Sequence, residues 1–108
     1  MHTYFCTLDR VVDGDTVDVI VDYGFNLKQK QRIRLLHVDT PERGEEGFSE
    51  ATLVLQDLMK EAADRDHAGR VRLVSQKTGK YGRWLGSLTS LDKKVDINQV
   101  LEERWPNE

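Results

Sequence analysis

The hydrophobic period of this chain changes at Ser49, and that change restricts the folds open to it. Before Ser49 apolar and polar residues alternate with a period of two; from there to Ala62 they recur at helical spacing. Tyr4 to Val12 alternates through Tyr4, Cys6 and Leu8, and Asp13-Gly14-Asp15 is a turn signal. Thr16 to Val21 is β-branched and alternating, so the two segments form a hairpin. Asp22 to Lys28, with Gly24 and Asn26, is the next turn, and Gln29 to Val38 a third strand. Pro41 has no N–H to donate and a fixed φ, so the strand stops about there, and Thr40 before it is biased towards an extended conformation.

Beyond Ser49, Ala51, Leu55, Leu58, Met59 and Ala62 fall on one helical stripe. Ser49 reads as the N-cap, which puts Phe48 and Leu53 at staple positions, and Gly69 as the stop or part of the loop that follows. Val71 to Val74 is a short strand, Gln76 to Gly82 a polar loop, Trp84 to Leu91 a fifth strand and Asp92-Lys93 a turn. Asp96 and Gln99 have capping-box spacing, and Ile97, Val100 and Leu101 give a short helix ending near Trp105-Pro106. The order is three strands, a helix, two strands and a helix. That is a mainly β, α+β pattern, expected to close as a five-stranded, all-antiparallel Greek-key barrel of the OB-fold type. One helix then lies between strands three and four, and a short one at the C-terminus.

A chain of 108 residues is expected to form a single domain, residues 1–108, around one modest core. Its net charge of −3 argues against non-specific coating of nucleic acid, which depends on many phosphate contacts. It leaves room for an enzyme that focuses a few cations in one cleft. The lone Cys6 cannot form an internal disulfide, and its apolar setting makes it a core residue. There is no apolar run of bilayer length and no basic-then-apolar leader. The expected location is cytoplasmic if the chain is the whole product, and secreted if it is a processed form. A monomer is expected, and nothing points to a membrane.

Three stretches carry chemistry. In the first, Asp13-Gly14-Asp15-Thr16 joins Asp39-Thr40; Asp15, Asp39 and the Thr40 carbonyl suit a hard cation such as Ca2+, which takes oxygen ligands. Asp-Gly is also ordinary hairpin chemistry. In the second, Arg34 and Arg83 offer planar guanidiniums able to grip one phosphate and stabilise a pentacoordinate transition state, although Arg83 taken singly reads as an exposed loop cation. Arg32 shares the parity of Arg34, and periodicity does not separate them. In the third, Glu42 beyond the cation ligands reads either as a solvated loop acid or as a group that accepts a proton from an attacking water. Asp18, Asp22, Glu45, Glu46 and the C-terminal acids read as solvated. His37 reads as a strand residue beside the site, Tyr81 as a base- or sugar-stacking or surface residue, and Trp84 and Trp105 as packing.

Val12-Asp13-Gly14-Asp15-Thr16-Val17, Arg34 through Glu42, and Lys80-Tyr81-Gly82-Arg83 together resemble, in order, the signature blocks of the staphylococcal nuclease (thermonuclease) family. Val95-Asp96-Ile97-Asn98 resembles the segment before that family's end. The resemblance implies an OB-fold hydrolase, a calcium-dependent endonuclease. It would cleave the 5′ P–O bond of single- or double-stranded DNA and RNA and leave 3′-phosphates. By position, Asp15, Asp39 and Thr40 resemble the calcium ligands and Asp13 the acid behind them. Arg34 and Arg83 resemble the phosphate-binding arginines, Glu42 the general base, and Lys80 and Tyr81 the contacts to a terminal phosphate. The chain departs from that pattern in its acidic Glu45-Glu46 loop, its overall acidity and its end shortly after Trp105. These departures imply weaker substrate binding. The alternative expectation is a non-catalytic OB-fold module that binds nucleic acid or protein.

Overall fold

The computed structural model describes residues 2–78 and 84–107. Seven elements follow one another: β1 (His2–Asp13), β2 (Thr16–Asp22), β3 (Lys28–Leu35), α1 (Phe48–Asp64), β4 (Arg70–Thr78), β5 (Trp84–Ser90) and α2 (Ile97–Arg104). The strands close a barrel in the order β1-β2-β3-β5-β4, with β4 returning to β1. This is the expected mainly β, OB-fold-type architecture with a helix between the third and fourth strands. The all-antiparallel expectation is corrected at one seam, because β3 and β5 run parallel, Ile33 opposite Trp84 and Leu35 opposite Gly86. A closed ring with an odd number of strands cannot alternate direction all the way round, so one parallel pair is obligatory.

The core is the inward row of each strand under the apolar stripe of α1. Val17, Val19 and Val21 of β2, Ile33 and Leu35 of β3, and Leu73 and Leu88 pack with Leu55, Met59 and Ala62 of α1 and with Ile97 and Leu101 of α2. Cys6 is buried here as expected, and burial pushes its thiol up to about 12, which removes it from chemistry at neutral pH. Leu8 keeps the side of Cys6, opposite inward Val19, but is 38% exposed; the register shift between Leu8 and Arg10 then brings Val11 opposite Val17.

Helix α1 begins two residues earlier than its sequence suggests. Gly47, at φ 90°, is the N-cap, and Leu53 is exposed, so Ser49 does not cap and no Phe48–Leu53 staple forms. In α2 the Asp96 carboxylate accepts the Gln99 N–H at 3.1 Å, as the spacing required. Strand β4 runs well past the expected Val74, because its pairing with β5 continues across a bulge between Ser75 and Lys77.

Asp18 is not the solvated acid expected. It is buried on β2, directly across from Arg32, whose Nε and Nη2 donate to its two carboxylate oxygens at 2.8 and 3.1 Å. The Arg32 guanidinium holds the Asp18 carboxyl below its ordinary range. The folded-state pKa is therefore below the unfolded value of about 3.9, so the stabilisation is complete above roughly pH 4 and lost as pH falls through the folded value. Arg70 does the same for Asp66, and Ser90 for Asp92. Asp18→Asn is expected to cost about 1–2 kcal/mol at pH 7, since Arg32 is half exposed and keeps some solvation. Thermal melts between pH 3 and 7 check this: the gap to wild type should narrow below pH 4.

Candidate metal and phosphate site

The β1–β2 turn and the loop leaving β3 meet at one end of the barrel. Gly14 is buried there, and a Cβ on it would sit 2.7 Å from both the Ala51 Cβ and the Thr40 Oγ1. Only glycine lets the turn approach α1 and the Thr40 loop this closely. The Leu35 N–H donates to the Asp15 carbonyl at 2.9 Å, fixing the turn against the end of β3.

Strand β3 does not reach Val38 as its sequence suggested. It ends at Leu35, and the chain turns through Leu36 and His37, the latter at φ 65°, so that Val38 bridges Pro106 instead. The segment after α2 braces this loop: the Asp39 N–H donates to the Trp105 carbonyl at 2.9 Å and the Asn107 N–H to the His37 carbonyl at 3.2 Å. Asn98 of α2, buried, braces it from below. Its amide donates to the Leu36 and Gly86 carbonyls at 3.0 and 3.1 Å and accepts the Leu88 N–H at 2.9 Å. His37 itself is exposed.

On this frame Asp15, Arg34 and Asp39 converge. Arg34 Nη2 lies 3.4 Å from Asp15 Oδ2 and 4.0 Å from Asp39 Oδ1. Its Nη1 donates to the Val38 and Leu35 carbonyls at 2.7 and 3.0 Å, which fixes the plane of the guanidinium. Asp15 is almost wholly buried; its Oδ1 accepts the Thr16 hydroxyl at 3.1 Å and its Oδ2 the Thr40 N–H at 3.2 Å. Asp13 stands behind, accepting the Asp15 N–H at 3.1 Å. Burial, followed by the neighbouring Asp15, holds the Asp13 carboxyl above its ordinary range. The Asp39 side chain is 63% exposed, so one acid of the pair is fixed and the other faces solvent.

A cleft of about 160 Å³ opens at this point, walled by Asp13, Asp15 and Thr16 from the turn, Arg34 from β3, and Asp39, Thr40, Pro41 and Glu42 from the loop. Glu42 is exposed at its mouth. A wider groove of about 650 Å³ shares the Asp39–Glu42 wall and continues past Glu45, Glu46 and Trp105. Glu45 is more than a solvated acid, since its Oε1 accepts the Glu42 N–H at 2.6 Å and ties the loop. Glu46 is exposed, as expected. Asp22, at the far end of β2, accepts the Gly24 N–H at 2.8 Å and orders the β2–β3 turn.

Two arginines that parity could not separate are separated here. Arg32 is committed to Asp18, and Arg34 enters the cleft. Arg83, Lys80 and Tyr81 lie outside the described residues. Thr16, Asn98 and Glu45 were missed in the sequence. The signal for Asn98 was available, because it is a polar residue between Ile97 and Leu101 on the buried side of a short helix.

The residues present suit a hard divalent cation. Asp15 and Asp39 are oxygen donors that both approach the Arg34 Nη2, at 3.4 and 4.0 Å, and the Thr40 Oγ1 is buried without a hydrogen-bond partner. Among the described residues no three His, Cys, Asp or Glu side chains form a closed cage.

No protein-family model matches the chain. It is 38% identical over 98 residues to Protein ParB of Escherichia coli, across 90% of this chain and 44% of that protein. It is 35% identical over 77 residues to Micrococcal nuclease of Shigella flexneri, across 71% of this chain and 37% of that protein. The chain spans less than half the length of either relative. Over most of its own length, then, it is similar to part of a protein named as a micrococcal nuclease, in keeping with the resemblance carried by its three sequence blocks.

Proposed function

We propose that this chain is a calcium-dependent nuclease domain that hydrolyses phosphodiester bonds of DNA and RNA by in-line attack of water. The products would carry 3′-phosphates and 5′-hydroxyls. The observation that carries the reading is the convergence of Asp15, Asp39 and Arg34 around one cleft. Asp15 and Asp39 with the Thr40 carbonyl would hold the cation, and substrate phosphate and water would fill its remaining positions. When bound, calcium supplies positive charge beside the phosphate oxygens.

The chain's own groups do the rest. Arg34, its plane fixed by the Val38 and Leu35 carbonyls, keeps Nη2 directed at the cleft. That donor can bind a phosphate oxygen and strengthen its hold as charge builds on phosphorus. Thr16 and the Thr40 N–H keep the Asp15 carboxylate in one orientation. Glu42, at the mouth of the cleft, takes the proton of the attacking water as the P–O5′ bond breaks, and solvent water protonates the departing 5′-oxygen to give the 5′-hydroxyl. The Glu45 carboxylate fixes the backbone under Glu42.

The test is incubation of single-stranded DNA with the protein in calcium or in chelator, with the product ends identified. Cleavage that requires calcium and leaves 3′-phosphates is expected; no cleavage at high enzyme would remove the proposal. Glu42→Gln is expected to lower kcat about a hundredfold, with Tm within about 1 °C of wild type because Glu42 is exposed.

A further inference from the structure

The hairpin joining β2 to β3 has a feature that neither the core nor the cleft uses. Its tip holds Phe25 at φ 54° and Asn26 at φ 63°, and Phe25 is 97% exposed. A left-handed conformation is costly for a bulky residue, and an aromatic side chain gains nothing by facing water. The tip is nevertheless tightly ordered, with the Tyr23 N–H on the Leu27 carbonyl and the Leu27 N–H on the Gly24 carbonyl, both at 2.8 Å. Leu27, beside it, is 62% exposed.

From that tip β3 runs straight to the cleft. Its inward residues Ile33 and Leu35 are core, so Lys28, Lys30, Arg32 and Arg34 form its outward row. The sixteen residues from Tyr23 to Val38 include these four cations and no acid, in a chain of net charge −3. Side-chain exposure rises along the row, from 23% at Arg34 to 48% at Arg32 and 59% at Lys30. Lys30 and Arg32 each carry one acid, Asp9 at 3.0 Å and Asp18 at 2.8 Å. Each keeps further N–H donors: Arg32 gives Asp18 its Nε and Nη2, and the Lys30 ammonium has three. Alternate residues of a strand stand about 7 Å apart, a repeat that an extended polynucleotide backbone can follow phosphate by phosphate.

We propose that the β2–β3 hairpin is a substrate arm. On this view, which rests on the nuclease reading, single-stranded nucleic acid leaving the cleft at Arg34 runs along Arg32, Lys30 and Lys28. A base about three nucleotides from the scissile phosphate then stacks on Phe25. A polyanion fits the row, and a base face fits the exposed ring.

The test needs no catalysis. A fluorescein-labelled, single-stranded 12-mer is titrated with protein in chelator, and its anisotropy followed at several salt concentrations. Phe25→Ser is expected to weaken binding about tenfold. Lys28→Gln with Lys30→Gln should reduce the slope of log K on log salt by about 1.4, two single-strand phosphate contacts. A dinucleotide, too short to reach the tip, should bind wild type and variants alike. These side chains are exposed, so an unchanged Tm shows that each variant is folded. Equal affinity and slope in wild type and variants would overturn the arm while leaving the cleavage assay, and the nuclease reading, untouched. Binding to vesicles of anionic phospholipid without binding to the 12-mer would also overturn it.

Discussion

Arg34→Ala is expected to lower the rate of calcium-dependent cleavage by about 10³-fold or more, and Arg34→Lys to recover little of it. The guanidinium is placed by two backbone carbonyls through Nη1 and reaches the cleft through Nη2. An ammonium keeps the charge but cannot make both sets of contacts in one plane. Loss of the carbonyl contacts should cost about 1–2 kcal/mol of stability, too little to unfold a typical domain of this size. The same substitution should leave calcium affinity unchanged or tighten it. In the absence of cation Arg34 is the charge partner of both Asp15 and Asp39, and removing it leaves two carboxylates with no other ion-pair partner among the described residues. A fall in rate with retained calcium binding, measured on the same preparation by single-turnover cleavage and by calorimetry, separates loss of a phosphate-binding group from loss of the metal site. Parallel loss of both would mean that Arg34 only holds the loop in shape.

Asn98→Ala is expected to give the largest loss of stability, about 3 kcal/mol, equivalent to a Tm roughly 12–24 °C lower for a domain of this size. The truncation strands the buried Leu88 N–H and removes the side-chain donor shared by the Leu36 and Gly86 carbonyls. Those groups belong to β5 and to the loop that carries Asp39, so cleavage should fall with stability. Chemical denaturation checks the first effect. For the second, the assay is run well below the variant's Tm. Asn98→Asp keeps the acceptor for Leu88 but loses the donor, and should fall in between or below, since it also buries a charge.

Alternation and turn chemistry were enough to place five strands, two helices and the inward rows of β2 and β3, because these follow from periods that a short window can display. What the period could not show was whatever depends on closure. The parallel β3–β5 seam follows from ring topology, and the turn at Leu36–His37 from contacts with Asn98 and Pro106, both far along the chain. The cap of α1 was missed because Gly47 acts through a left-handed backbone, whereas Ser49 offered a side chain. In the cleft, Asp15, Asp39, Thr40 and Glu42 were legible from residue type beside turn signals, and they line one cavity. The choice between Arg34 and Arg32 was not, since strand parity gives both the same face. The resemblance points to Arg34, and the register that sets Asp18 opposite Arg32 gives the physical reason.

On the proposed mechanism, Asp15 and Asp39 grip one cation in front of a phosphate held by Arg34. Calorimetric titration of calcium into the wild-type chain and into Asp15→Asn and Asp39→Asn tests it most directly, each with an uncleavable phosphorothioate oligonucleotide present. One calcium ion bound per wild-type chain, with affinity falling sharply in both variants, is the expected result. Calcium binding that is absent in the wild type, or unaltered by both substitutions, would contradict it.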